Sequence, residues 1–170
     1  MNGYTVSALS RLQIRRMAEA IRKIDGSEQQ LYFDIVKFVE LKLPKIDPSF
    51  NFNVGAMSKM GDCHGLTYPE RNEINIREDV YEKAYNGSGR DRLTIAHELF
   101  HLLQHTSDNV CFARNGSAET PAYRNPEWQA NAFGGELLIP HKLINGLSVN
   151  EIMVQCGVSA DAARYQRRLP

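Results

Sequence analysis

The segment His97-Glu98-Leu99-Phe100-His101 constrains this chain more than any other feature. It sits in a run whose apolar residues, Leu93, Ala96, Leu99, Phe100 and Leu103, follow a helical period, which predicts a helix from Arg90 to about His105. Four residues correspond to about 400° of helical rotation, so His97 and His101 project from one face about one turn apart, as two ligands of one zinc must. Glu98 is rotated about 60° from His101, near enough to reach a water at the metal without ligating the metal itself. Two His and a Glu fall at this spacing by chance about once in a hundred chains of this size.

A catalytic zinc takes three protein ligands and keeps one position open. Two residues are candidates for the third. His105 continues the i, i+4 ladder, but three consecutive turns of one straight helix cannot converge on one tetrahedral centre without distortion. Glu127 opens a separate helix, predicted from Pro126 to Leu138 ahead of Pro140, which can pack across the first. Asn131, one turn beyond it, could support a ligand from behind. A first-turn carboxylate also stabilises a helix N-terminus with no metal present, so spacing alone leaves the role of Glu127 open.

Around these helices the pattern changes several times. Ser10 to Ile24 has a helical period ended by Gly26, and a second helix is expected from Glu28 to Leu43, stopped by Pro44. Between Pro44 and Arg77, alternation at Phe50, Phe52 and Val54, at Leu66 and Tyr68, and at Ile74 and Ile76 predicts a three-stranded antiparallel meander. Thr106 to Arg124 is polar and rich in Ser, Asn and Gly, and is expected to be a long loop. A capping box at Ser148 and Glu151 opens a helix to Cys156, Gly157 ends it, and Ser159 caps a last helix to Leu169. The expected division is a main domain over 1–147 and a C-terminal helical hairpin over 148–170 packed on it.

Charge and composition narrow the function classes. The 170 residues carry 20 basic and 20 acidic side chains, a net charge of zero, which excludes a globally basic nucleic-acid or membrane-surface binder. At 42% hydrophobic and 24% charged, the chain matches neither disordered nor fibrous proteins. Cys63, Cys111 and Cys156 are sparse and form no CxxC pair, so reduced thiols in a cytoplasmic protein are expected. Met1 to Leu12 has no signal-peptide pattern, and no apolar run approaches a membrane span. The Asn-Gly-Ser triplets at Asn86 and Asn115 are then turns rather than glycosylation sites.

The stretches TIAHELFH and, from Glu127 to Pro140, EWQANAFGGELLIP resemble the ImmA/IrrE family of metallopeptidases, over a core from about Arg90 to Pro140. The resemblance implies an α+β fold, a mostly helical minimal zincin of gluzincin type with a small three-stranded antiparallel sheet. It implies that His97, His101 and Glu127 hold Zn2+ and that Glu98 is the general base; His105 also occurs in the family pattern and is not implied as a ligand. It also implies limited proteolysis of a partner helix-turn-helix repressor of Xre type, in stress response, mobile-element control or a toxin–antitoxin pair. Two positions depart from the family pattern. Phe100 stands where Gly is common and narrows the space around the helix, and Gly134-Gly135 stand where small Ala residues are common, weakening the helix by about 1 kcal/mol each unless close packing offsets it.

Other readings have their own residues. By type, His64, Tyr68, Tyr123, Arg124 and His141 are candidates to stabilise an oxyanion. Either the strand around His64 to Tyr68 or that from Glu73 to Arg77 offers an edge for an extended substrate. The closing hairpin has helix-turn-helix spacing with Arg164, Gln166, Arg167 and Arg168 on its last helix, so a regulator that binds DNA or a partner is the alternative. The neutral chain argues against direct nucleic-acid binding. A catalytically quiet zinc module is a third reading, opposed by Glu98, for which a purely structural site has no use.

Overall fold

The computed structural model describes residues 4–106, 110–112 and 120–170. The predicted turn at Asn115 and the thiol of Cys111 lie outside the described residues. A short strand β1 (Tyr4–Val6) precedes helix α1 (Arg11–Asp25). The predicted stop of α1 is used, Gly26 closing the helix at φ 79°, a left-handed conformation that suits glycine; its start is fixed by a reciprocal capping box between Ser10 and Gln13.

The second helix differs from expectation. Residues 28–34 are not helical, and the chain turns helical only at α2 (Ile35–Lys37), with Asp34 accepting the N–H of Lys37. The reason lies in Arg22, which is fully buried and takes the carbonyls of Ser27, Gln30 and Leu31 as acceptors. Those carbonyls therefore serve a guanidinium rather than a helix ladder. Pro44 does not stop the helix either. A π-helical turn, Phe38–Lys42, widens the coil just before α3 (Leu43–Ile46), relieving the clash a proline ring makes with the preceding turn.

The sheet is mixed rather than an antiparallel meander. Strand β2 (Asn51–Gly55) leads through the short helix α4 (Met57–Met60) to β3 (Gly65–Tyr68), and a 3₁₀ turn (Pro69–Arg71) leads to β4 (Glu73–Arg77). The order is β2-β4-β3, with β4 central, parallel to β2 and antiparallel to β3. A meander needs a tight turn between its first two strands; the helical crossover at α4 instead leaves room for β4 between them. Both Ile74 and Ile76 of β4 are fully buried under the helices.

Helix α5 (Glu78–Tyr85), unanticipated from the sequence, buries Val80 and Ala84 and ends at Asn86, followed by Gly87 at φ 91°. Then comes α6 (Gly89–Gln104), the predicted metal-binding helix. Its buried face is Ile95, Ala96, Leu99, Phe100 and Leu102, while Leu103 is exposed. Within the expected 106–124 loop, β5 (Val110–Phe112) pairs antiparallel with β1, and a 3₁₀ turn spans Ala122–Arg124.

Helix α7 (Pro126–Leu138) packs along both α6 and α1. The paired glycines allow this. A Cβ on Gly134 would sit 2.7 Å from a Leu93 methyl, and one on Gly135 would sit 3.0 Å from Gln166 Oε1. Close approach is thus what offsets their low helix propensity. Glu136 of α7 is buried and accepts from Arg11 at 2.8 Å and Arg15 at 3.0 Å, pinning α7 to α1. Helices α8 (Val149–Cys156) and α9 (Ala160–Arg167) form the hairpin, with the capping box at Ser148 and Gly157 at φ 63°. Arg92 of α6, also fully buried, donates to the carbonyls of Cys156, Gly157 and Phe33. Gly89 lies so close to the backbone at Val158 that a Cβ would approach its Cα to 2.6 Å.

Candidate metal centre

Three side chains from two crossing helices meet at one point. His97 and His101 face the same way from α6, as their spacing predicts, and Glu127 reaches them from the first turn of α7. Asn125 starts α7 by accepting the N–H of Trp128 at 3.0 Å, with Pro126 next, so Glu127 is held at the helix mouth. The Nε2 atoms of the two histidines are 2.9 Å apart. Glu127 places Oε2 at 3.2 Å from His97 Nε2 and Oε1 at 3.4 Å from His101 Nε2.

Those separations suit a cation. Ligands at about 2.0–2.1 Å from a tetrahedral zinc lie roughly 3.3 Å from one another. Two imidazole nitrogens so close, both turned toward a carboxylate, cannot both carry a hydrogen without a clash. Their other nitrogens are engaged: His97 Nδ1 donates to Asn131 Oδ1 at 3.0 Å, and His101 Nδ1 is 2.6 Å from His105 Nδ1. The donor set, two imidazoles and one carboxylate with an exposed side, therefore fits a zinc centre with an open position. His105 is not among the converging atoms. It lies behind His101, so of the two candidates only Glu127 joins the group.

The electrostatics follow from burial and mutual charge. Burial disfavours protonation of His97, but the bonded Glu127 carboxylate outweighs it and the net shift is upward. His101 is pushed down to about 4, first by burial and then by the neighbouring His97 and His105. Glu127 is lowered by its hydrogen bond from His97.

Glu98 stands apart from the three. Its carboxyl is pushed up, chiefly by burial. Thr67 of β3 donates to Glu98 Oε2 at 2.6 Å, and Gly65 of the same strand leaves the space the side chain occupies. A Cβ on Gly65 would come within 2.6 Å of Glu98 Cγ and 3.0 Å of Oε1. Neither residue carries a sequence signal, because both act across 31 or more residues of chain. Phe100 is buried, with its ring 4.9 Å from Phe133 and edge-on to His105, so the space it takes is in the packing of α6 against α7.

Of the residues suggested for an oxyanion, His64 begins the approach to β3, and Tyr68 ends that strand beneath the Arg71 guanidinium. Tyr123 and Arg124 are exposed in the turn before α7. His141 lies past the far end of α7, which rises about 16 Å between Glu127 and Leu138, so it is remote from the His97, His101 and Glu127 group.

The IrrE N-terminal-like domain, a peptidase family, matches residues 55–166, nearly two-thirds of the chain. The chain belongs to this family. No curated protein and no solved structure matches it. The IrrE-like match starts at the end of β2 and runs into α9, so it takes in β3, both helices of the candidate centre and the hairpin. It carries with it a metallopeptidase type of activity and a protein substrate.

Proposed function

We propose that the protein is a zinc metalloendopeptidase that cuts a partner protein at a limited number of sites. The observation that carries this is the convergence of His97, His101 and Glu127 beside a separate carboxylate, Glu98, that takes no part in the group. A zinc held by His97, His101 and Glu127 would supply a Lewis acid and would lower the pKa of a water there from 15.7 toward about 7. The remaining chemistry belongs to the chain. Thr67 occupies Glu98 Oε2, so Oε1 is the oxygen that takes the proton as water adds to the peptide carbonyl. Glu98 then returns that proton to the departing nitrogen as the C–N bond breaks.

Strand β3 lies directly against Glu98 and, among the described residues, pairs on one side only, with β4. Its free edge is the one we assign to an extended substrate, in preference to the central β4. We take the substrate to be a helix-turn-helix transcriptional repressor of Xre type, on the family resemblance, and place the reaction in stress response, mobile-element control or a toxin–antitoxin pair in the cytoplasm. No helix among the described residues is long and apolar enough to cross a membrane.

Residues 148–170 we read as a hairpin belonging to the peptidase body rather than as a DNA reader. Supporting this, Gln166 is buried against Arg11, and Arg164 is paired with Asp161. Co-expression with a repressor encoded beside the gene tests the whole reading. The repressor is expected to disappear with the wild type and to persist with Glu98→Gln. Its persistence with both would contradict repressor cleavage, and salt-dependent binding of duplex DNA by the purified protein would favour the regulator instead.

A further inference from the structure

A line of hydrogen bonds runs from two backbone carbonyls to the metal-facing nitrogen of His101. It starts at Gln129, which is 1% exposed and therefore cannot look to water for partners. Gln129 Nε2 donates to the Ser7 carbonyl at 2.9 Å and to the Tyr123 carbonyl at 2.8 Å. Carbonyls only accept, so the amide can be oriented one way, with Oε1 turned to His105. That oxygen is 3.2 Å from His105 Nε2, so His105 Nε2 carries the hydrogen. His105 is buried with the Phe100 ring edge-on at 5.3 Å, an apolar setting that keeps the imidazole neutral. A neutral ring with hydrogen on Nε2 has a lone pair on Nδ1. That lone pair faces His101 Nδ1 at 2.6 Å, so His101 must hold its hydrogen on Nδ1. Its Nε2 is left with a lone pair, aimed at His97 Nε2 and Glu127.

We infer that His105 and Gln129 are positioning residues that lock His101 in the tautomer whose Nε2 is free to bind metal, each link being dictated by the one before it. The inference rests on the proposed metal centre for its purpose, but the tautomer itself does not depend on metal. The line also anchors His101 to two segments outside α6, the chain at Ser7 and the turn at Tyr123, so the ring orientation is held from a frame independent of its own helix.

The test uses the whole chain, labelled with ¹⁵N-histidine and freed of metal by chelation. Long-range proton–nitrogen correlation spectra are expected to show His101 with hydrogen on Nδ1 and His105 with hydrogen on Nε2. His101 with its hydrogen on Nε2 would overturn the inference, whatever the metal does. Zinc affinity is then measured by competition with a chromophoric chelator. His105→Phe keeps a flat ring but offers no acceptor, and is expected to weaken zinc about 10- to 100-fold. His105→Gln, whose amide oxygen can accept from His101 Nδ1, is expected to recover most of that loss. A folded His105→Phe with wild-type affinity would overturn the inference. Should His105→Phe fail to fold, the wild-type tautomers still decide. A wild type that shows the expected tautomers but binds no zinc would instead sink the proposed metal centre.

Discussion

At the scale of single residues, the two carboxylates of the site separate cleanly by what surrounds them. Glu127 sits among imidazole nitrogens, whereas Glu98 is buried against β3 with Thr67 as its donor. Glu98→Gln is therefore expected to keep zinc and lose activity by about 10² to 10⁴-fold or more, read by peptide cleavage beside metal analysis. Near-normal cleavage would remove Glu98 as the base. Gly65→Ala probes the same carboxylate without touching it. The new Cβ would collide with Glu98 Cγ and displace the side chain, so activity is expected to fall about 10²-fold while zinc and fold are retained. An active Gly65→Ala would mean that the placement of Glu98 by β3 is unimportant. What was legible here was local. His97, Glu98 and His101 lie within one turn and a half of helix, where spacing alone dictates geometry. Thr67, Gly65 and Gln129 were invisible because their roles depend on which strand or helix the fold lays beside α6.

Among elements, the late start of the second helix traces to a buried arginine. Periodicity expects a helix from Glu28, yet the carbonyls of Ser27, Gln30 and Leu31 are claimed by Arg22 from α1, whose guanidinium also bonds the Leu137 carbonyl at the end of α7. Burial pushes the Arg22 pKa down to about 10, still well above neutrality, so the charge persists and its acceptors are obligatory. Arg92 plays the matching part at the hairpin, stacked on Tyr32 at 4.2 Å. Arg92→Met leaves the carbonyls of Phe33, Cys156 and Gly157 without their donor. We expect a loss of about 3 kcal/mol or more, measured by urea unfolding. A change below about 1 kcal/mol would show that water replaces the guanidinium. The sheet departs from a meander for a different reason: alternation reports that strands exist, but strand order is set by the crossover at α4, which no period of two can reveal.

Over the molecule as a whole, the zero net charge conceals strong local pairing. At the junction of β4 and α5, Arg77 binds Asp79 through two nitrogens, at 2.6 and 3.2 Å, and Lys83 joins at 3.1 Å. The Arg77 hydrogen bond, aided by Lys83, holds Asp79 far below the ordinary carboxylate range. A carboxyl lowered by folding stabilises the protein above its unfolded pKa, about 4, and that contribution is lost as pH falls toward the folded value. The wild type is therefore expected to lose its advantage over Asp79→Asn as pH drops below about 4, in urea midpoints taken from pH 3 to 7. A difference that stays constant over that range would contradict the assignment. The same body buries Cys156, whose thiol is pushed up to about 11 by burial, away from the thiolate form that reacts.

Zinc bound per chain bears most directly on the centre of this account. Purified wild type and Glu98→Gln are both expected to hold one zinc, and His97→Ala, His101→Ala and Glu127→Ala to hold little or none while remaining folded. Full zinc in a folded Glu127→Ala, or its loss in Glu98→Gln, would contradict the division of labour between three ligands and one base.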